Sequence, residues 1–527
     1  MAKLKEYFPL PEYREHQEET ITKILAAYKK GKKYVILEAP TGAGKSAIGM
    51  TIARIMQNSY YLTVQKILQS QLKSDFEKIG AVDLQGRNAY PCWLMKDKLK
   101  VTIPTRADRG ICYRKGKSNL DGCRGKCYYY NQLQKAMDAP ITILNFSSFL
   151  YQKYHAINRF VEPRNLMIID EAHNIEQQMM NFVEVNLKKK DFKINWPDTE
   201  NITDYIKEFE DKDVYEEVNT IVTEQKAILK IAEENSAPEK EITTICDELE
   251  KWESILKQLY ILSLFNKIEC VIEYDNEKVS FKPLKANYLT KMYLLNDNVA
   301  KLYLMMSATI LSPTVFTKNI GLKMEEVEYI TMPSTFPKEN RPIILDYAGS
   351  MSYKNKTKDF PKIIKKINTI MNQYKGKRGI IHCQSFSNMK AIIEGVNCSN
   401  RLTHQNDYPK KEDLLTAHRN NPESVLIGPA LHEGIDLPRQ DCEFAAIVKI
   451  PYASFVDDKQ LALRMKADPS WYLWITALKF IQSLGRGVRS KTDKCDIYVV
   501  DSDFDNFFNR CDREGMFPDW VVEAIKT

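Results

Sequence analysis

The chain has 527 residues, 44% of them apolar, with a net charge of +7 from 76 basic and 69 acidic side chains, which predicts three or four domains rather than one. Its longest apolar runs, such as Tyr34–Leu37 and Leu166–Ile169, fall far short of the roughly 20 residues of a membrane span, and the N-terminus lacks a secretory pattern, so an intracellular protein without a membrane partner is expected. The charge is uneven: residues 176–280 hold 25 acidic and 13 basic residues, a net of −12 that leaves +19 on the rest, a field suited to a polyanion or to a solvated charged face.

In chain order, short β-branched and apolar runs fall at Tyr34–Leu37, Tyr60–Val64, Ile141–Leu144, Leu166–Ile169, Leu302–Met306, Gly379–Ile381, Val425–Ile427, Phe444–Ile450 and Ile497–Val500. They alternate with helical patterns, which reads as parallel α/β in two groups of strands. A polar, Lys-rich stretch at Ser350–Lys358 marks the neighbourhood of a lobe boundary or a surface loop. Two stretches break the alternation. Residues 87–130 show few strand or helix periods and hold four cysteines, whereas 177–262 shows little strand signal and many Glu, Lys, Leu and Ile positions at helical spacing, a helical insertion. No internal repeat is evident.

The first strand runs through Glu38 into Ala39-Pro40-Thr41-Gly42-Ala43-Gly44-Lys45-Ser46 and then a helical pattern. Strand, glycine-rich loop and helix together make a phosphate cradle. Gly42 and Gly44 let backbone N–H groups approach phosphates, Lys45 reaches the β/γ-phosphates and Ser46 offers a hydroxyl to Mg²⁺. Ala39 stands where the usual pattern has Gly. The strand Leu166–Ile169 ends in Asp170-Glu171-Ala172-His173, where Asp170 is expected to hold the Mg²⁺ shell and Glu171 to orient and deprotonate the attacking water. Near the C-terminus, Gln482-Ser483-Leu484-Gly485-Arg486-Gly487-Val488-Arg489 puts two arginines three residues apart, able to stabilise charge on a phosphoryl group across a cleft. Taken alone, such a helix is more often a solvated surface; the phosphate loop and the acidic pair reverse that reading.

With Ser307-Ala308-Thr309 and Glu433-Gly434-Ile435-Asp436, these motifs resemble helicase superfamily 2 in order and spacing, over nearly the whole chain. Gly86-Arg87-Asn88-Ala89-Tyr90-Pro91-Cys92, Asp170–Asn174 and Ser334-Thr335-Phe336-Pro337 are similar to the signatures of its XPD/DinG/FancJ (Rad3-related) iron-sulfur group. Arg14 and Gln17 resemble that group's adenine-contacting Q-motif. The resemblance implies two RecA-like P-loop lobes, with an iron-sulfur domain and a helical arch inserted in the first. The divisions expected are lobe 1 at 1–86, 135–176 and 281–333, the cluster domain at 87–134, the arch at 177–280 and lobe 2 at 334–527.

By resemblance, Cys92, Cys112, Cys123 and Cys127 hold a 4Fe-4S cluster; their spacing alone leaves a tetrahedral Zn²⁺ site open. Trp93–Cys127 holds ten Lys or Arg against three Asp, with Tyr90, Trp93, Tyr113, Tyr128, Tyr129 and Tyr130 interleaved or adjacent. That mix suits a single strand, phosphates on cations and bases on rings, although about half of the tyrosines are expected to pack the small domain instead. The resemblance implies an ATP- and Mg²⁺-dependent DNA helicase, a monomeric motor moving 5′ to 3′ on single-stranded DNA and opening duplex or forked DNA, in repair or replication. In a prokaryotic or viral setting it would be cytoplasmic and nucleoid-associated. An RNA helicase, a duplex translocase and a non-catalytic DNA-binding scaffold are the rival readings. Arg439 follows Pro438 where relatives often have Gly, which puts the loop after Glu433–Asp436 in doubt. The expected lobes also leave no room for an added nuclease domain.

Overall fold

The computed structural model describes residues 2–526 except 95–105, 110–122, 124, 155–161, 236, 432–434, 436, 438, 456–457, 486 and 489. In chain order the strands begin with β1 (Tyr34–Glu38), β2 (Ser59–Thr63), β3 (Ala81–Asp83), β4 (Ile141–Asn145) and β5 (Arg164–Asp170). Three strands then form a small sheet of their own: β6 (Val185–Lys188), β7 (Cys270–Tyr274) and β8 (Lys278–Pro283). With β9 (Ala300–Ser307) and β10 (Val327–Thr331) the chain returns to the first sheet, whose order is β10-β1-β9-β5-β2-β4-β3. The second sheet takes β11 (Ile343–Gly349), β12 (Gly379–His382), β13 (Leu402–His404), β14 (Val425–Gly428), β15 (Phe444–Ile447), β16 (Asp496–Asp501) and β17 (Ile525–Lys526), in the order β13-β14-β12-β15-β16-β11-β17.

Both seven-stranded sheets are parallel throughout. Parallel strands covered on both faces read as unbroken apolar runs, and each of the nine runs named above falls on a strand of these sheets, with Tyr60–Val64 running one residue and Phe444–Ile450 three residues past the strand end. Alternate residues serve opposite cores. Val35, Leu37, Tyr61 and Ile168 face the helices Gln17–Lys29 and Lys45–Met56, while Tyr34, Ile36, Tyr60 and Ile169 join a second core that continues through Ile310, Phe316 and Trp474 to Ile380, Leu426 and Ile497 of the other sheet. Each fully buried Ile or Leu in such a layer stabilises the fold by about 1.5–3 kcal/mol.

The stretch read as helical does carry the helices Ile202–Asp211, Val214–Glu234 and Glu239–Ser263, but it also carries β6. Val185 and Leu187 are buried and Asn186 and Lys188 exposed; four residues of alternation are too few to stand out among helical periods. Ser350–Lys358 follows β11 within the second sheet's unit, so it is not the boundary between the large sheets; it joins β11 to the helix Lys356–Gln373, with Met351 buried and Tyr353 97% exposed, and the chain passes between the large sheets at Met332–Pro342. Among the described residues, no helix is long and apolar enough to cross a membrane.

Candidate active site between the two sheets

Register sets the site. β1 pairs β9 from Tyr34↔Tyr303 to Glu38↔Ser307, and β5 pairs β9 up to Asp170↔Met306, so the phosphate loop, the acidic pair and Ser307 leave the sheet on one carboxyl rim, where open α/β sheets bind ligands. The loop is tied down at both ends: Ala39 N donates to Ser307 O at 3.0 Å and Lys45 Nζ donates to Ala39 O at 3.1 Å. Gly42 and Gly44 have φ of +81° and +78°. Gly44 also leaves room for Gln17, because a Cβ there would meet Gln17 Nε2 at 2.3 Å and force that side chain to shift.

Arg14 and Gln17 act on this same loop. Gln17, fully buried, donates to Ala43 O at 3.0 Å and Gly44 O at 3.3 Å, while Arg14 Nη1 donates to Gly42 O at 2.6 Å and Arg14 N to Gln17 Oε1 at 2.8 Å. Thr41 and Lys45 line the cleft beside it.

Asp170 is buried, and burial together with the neighbouring Glu171 charge pushes its carboxyl up to about 6 against the pull of Lys45. A group so placed favours a cation. Tyr61, fully buried on β2, donates to Asp170 Oδ2 at 3.2 Å; its hydroxyl orients one of the residues expected at Mg²⁺, and nothing in a run of apolar and aromatic residues singles it out. The hard oxygens of Ser46 and Asp170 are of the kind Mg²⁺ takes. Glu171 sits at φ +51°, the left-handed region where a residue other than glycine is held only by its surroundings.

Glu38 is a further residue that motif reading missed. Its Oε1 accepts from Ile310 N at 3.0 Å and Leu311 N at 3.2 Å, and its Oε2 accepts from Tyr329 Oη. Burial pushes its carboxyl up despite these donors. It thus fixes the loop after Ser307–Thr309 to the start of the phosphate loop, across 272 residues.

From the second sheet's unit comes the helix Pro469–Leu484, capped by Asp468, which accepts from Trp471 N at 3.1 Å, with Pro469 in its first turn. At 100° per residue, Trp471 and Gln482 lie about 20° apart around the helix and Trp474 about 60° to one side. All three reach the first unit: Trp471 Nε1 donates to Glu176 Oε2 at 2.7 Å, Trp474 Nε1 to Ile310 O at 2.7 Å, and Gln482 Nε2 to His173 Nε2 at 2.9 Å. A cleft of about 480 Å³ lies between, lined by Pro40, Thr41, Lys45, Glu171 and His173 on one side and Gln482 and Gly485 on the other. Arg486 and Arg489 lie outside the described residues, as do Glu433, Gly434, Asp436 and Pro438.

Cys92, Cys123 and Cys127 are buried, and Lys126 Nζ lies 4.9 Å over the Trp93 ring, so their segments run side by side. Cys112 and Tyr113 lie outside the described residues. Among the described residues no three Cys, His, Asp or Glu side chains are gathered as a metal ligand set. Of the neighbouring rings, Tyr129 is buried and packs edge-on against Tyr90 and Tyr130, whereas Tyr128 is exposed, which fits the expectation that part of this aromatic set serves the core.

Two family models match the chain, the helicase C-terminal domain over 367–523 and the type III restriction enzyme res subunit over 10–209. The ATP-dependent DNA helicase XPD of Sulfolobus acidocaldarius is 22% identical over 94% of this chain and 97% of its own. The chain is similar to XPD-type superfamily 2 helicases. A probable ATP-dependent helicase of Methanocaldococcus jannaschii is likewise 22% identical, over 97% of this chain and 95% of the relative. A solved XPD helicase superposes with a TM-score of 0.65 at 19% identity, covering 96% of this chain and 98% of that one. A second, from S. tokodaii, gives 0.58 at 15%, covering 97% and 99%. The XPD-type fold therefore extends along nearly the full chain.

Proposed function

We propose that this protein is an ATP-dependent DNA helicase that translocates 5′ to 3′ on single-stranded DNA and opens duplex or forked DNA as a monomer. The contact from Gln482 to His173 carries the reading, because it joins the second unit to the acidic motif of the first and makes hydrolysis depend on how the two are apposed. Lys45 and the loop N–H groups bind the β/γ-phosphates, Glu171 orients the attacking water, and Arg486 and Arg489 are assigned to the charge on the transferring phosphoryl group. Mg²⁺, when bound at Ser46 and Asp170, supplies counter-charge to the phosphate oxygens.

Residues 87–134 are assigned as the cluster domain and 177–280 as the arch, with lobe 1 completed by 1–86, 135–176 and 281–333 and lobe 2 by 334–527. Buried thiols at Cys92, Cys123 and Cys127 have the donor chemistry of a 4Fe-4S centre, with Cys112 as fourth ligand; a cluster held there would staple a small domain poor in regular structure.

The test is hydrolysis by the full chain with single-stranded DNA, single-stranded RNA or duplex DNA, alongside strand displacement on forks with one tail. Stimulation of about tenfold or more by single-stranded DNA, with opening of 5′-tailed forks only, is expected. Stimulation by RNA alone would overturn the DNA assignment, and hydrolysis on duplex without displacement would make the protein a translocase.

A further inference from the structure

Away from the phosphate-facing side of the cleft, a buried ion pair joins the two units. Glu176 lies on the helix Ile175–Val183, which follows directly from Asp170–Asn174. Its Oε1 accepts from Arg464 Nη2 at 3.0 Å and its Oε2 from Trp471 Nε1 at 2.7 Å. Arg464 Nη2 also donates to Asn319 Oδ1 at 2.7 Å, and the guanidinium lies 4.8 Å from the Trp471 ring. The side chains of Arg464 and Glu176 are 3% and 9% exposed, so water cannot replace either partner while the units stay together.

Each charge needs the other, and they come from opposite sides of the cleft. The pair can therefore form only when the helix Lys459–Ala467, which carries Arg464, is seated as it is here; separating the units would require both charges to hydrate. The seat is defined at its other end too. Lys459 Nζ donates to Glu200 and to Ile272 O at 3.4 Å, and Gln460 Nε2 donates to Pro283 O at 2.6 Å, which holds the start of that helix on the β6-β8-β7 sheet. Beside the pair, Lys318 Nζ contacts Asp468 Oδ2 at 2.7 Å.

We propose that Arg464 is a positioning residue for ATP hydrolysis, acting through Glu176 to set the helix that carries the Asp170–Glu171 motif when the second unit seats. The inference rests on the ATPase reading of the cleft. It assigns to Arg464 no contact with nucleotide; the effect passes along six residues, from Glu176 back to Glu171.

Full-length R464M, R464K, E176Q and the double variant E176Q/R464M test this through kcat and KM for ATP with single-stranded DNA, thermal midpoint, and backbone hydrogen exchange over residues 172–183. R464M and E176Q are each expected to lower kcat by about tenfold or more with KM within about twofold, and the double variant to be no worse than the worse single one. R464K should recover part of the loss, and exchange over 172–183 should rise while β1 and β9 stay protected. Additive losses, a kcat within about twofold of the parent, or a loss that merely follows the thermal midpoint would overturn the proposal. If R464M does not fold, E176Q alone decides by the same criteria. A parent chain without ATPase activity would end the functional reading instead; exchange over 172–183 would then decide the link from Arg464 to this helix, with no rise overturning it.

Discussion

Gln482 Nε2 lies 2.9 Å from His173 Nε2, and Asn174 Nδ2 approaches the same ring nitrogen at 2.9 Å. On the other side of the ring, Nδ1 lies 2.8 Å from Ser307 Oγ and 3.4 Å from Glu171 Oε2. Ser307 Oγ accepts in turn from Thr309 N at 3.0 Å. One histidine thus touches the second unit, the acidic motif and the loop after β9 together.

Replacing Gln482 by Ala removes the donor from the second unit and leaves the phosphate loop intact. DNA-stimulated kcat is expected to fall by roughly 10- to 100-fold, with KM for ATP changed less than about threefold. Steady-state hydrolysis over a range of ATP concentrations measures both; a change confined to KM would remove Gln482 from the coupling.

Lys45→Ala removes the cation that the phosphate loop presents to the β/γ-phosphates. Hydrolysis and strand displacement should be lost together, measured on the same preparation. Full turnover by this variant would refute the phosphate-loop assignment.

Gly44→Ala is opposed twice, by φ of +78° and by Gln17 Nε2 at 2.3 Å from the added Cβ. Left-handed backbone alone costs an L-residue about 1–2 kcal/mol, so affinity for a non-hydrolysable ATP analogue should fall by about tenfold or more. Adding Gln17→Ala relieves the collision but not the backbone, and titration should show at most partial recovery.

Cys112→Ser and Cys123→Ser address the thiolate centre. Anaerobic preparations of the parent are expected to hold about four irons per chain with matching sulfide and a broad band near roughly 400 nm. Each variant should lose iron and strand displacement while keeping part of the ATPase; unchanged iron in either one would remove that cysteine from the ligand set.

Asp501 gives a pH dependence of stability. Burial pushes its carboxyl from 3.8 up to about 6, although it accepts from Met351 N and Ile450 N, each at 2.9 Å. Because the folded value is the higher one, its contribution is fully present below about pH 4 and lost as pH rises through about 6, a change of about 3 kcal/mol at most. The stability of the parent relative to Asp501→Asn should therefore fall between pH 4 and 6 in thermal melts. A difference independent of pH would show that Asp501 does not titrate there.

By itself, the sequence determined the parallel α/β class, the nine apolar strand runs, the phosphate loop and the acidic pair, because each is a local pattern: an unbroken apolar run or a glycine spacing is complete within a dozen residues. Tertiary structure alone decided that Tyr61 holds Asp170, that Glu38 holds Ile310 and Leu311, and that Trp471, Trp474 and Gln482 address the first unit from one helix face. Glu176 and Arg464 stand 288 residues apart. Each looks like any surface charge in the chain, and only the burial that folding imposes makes either one depend on the other.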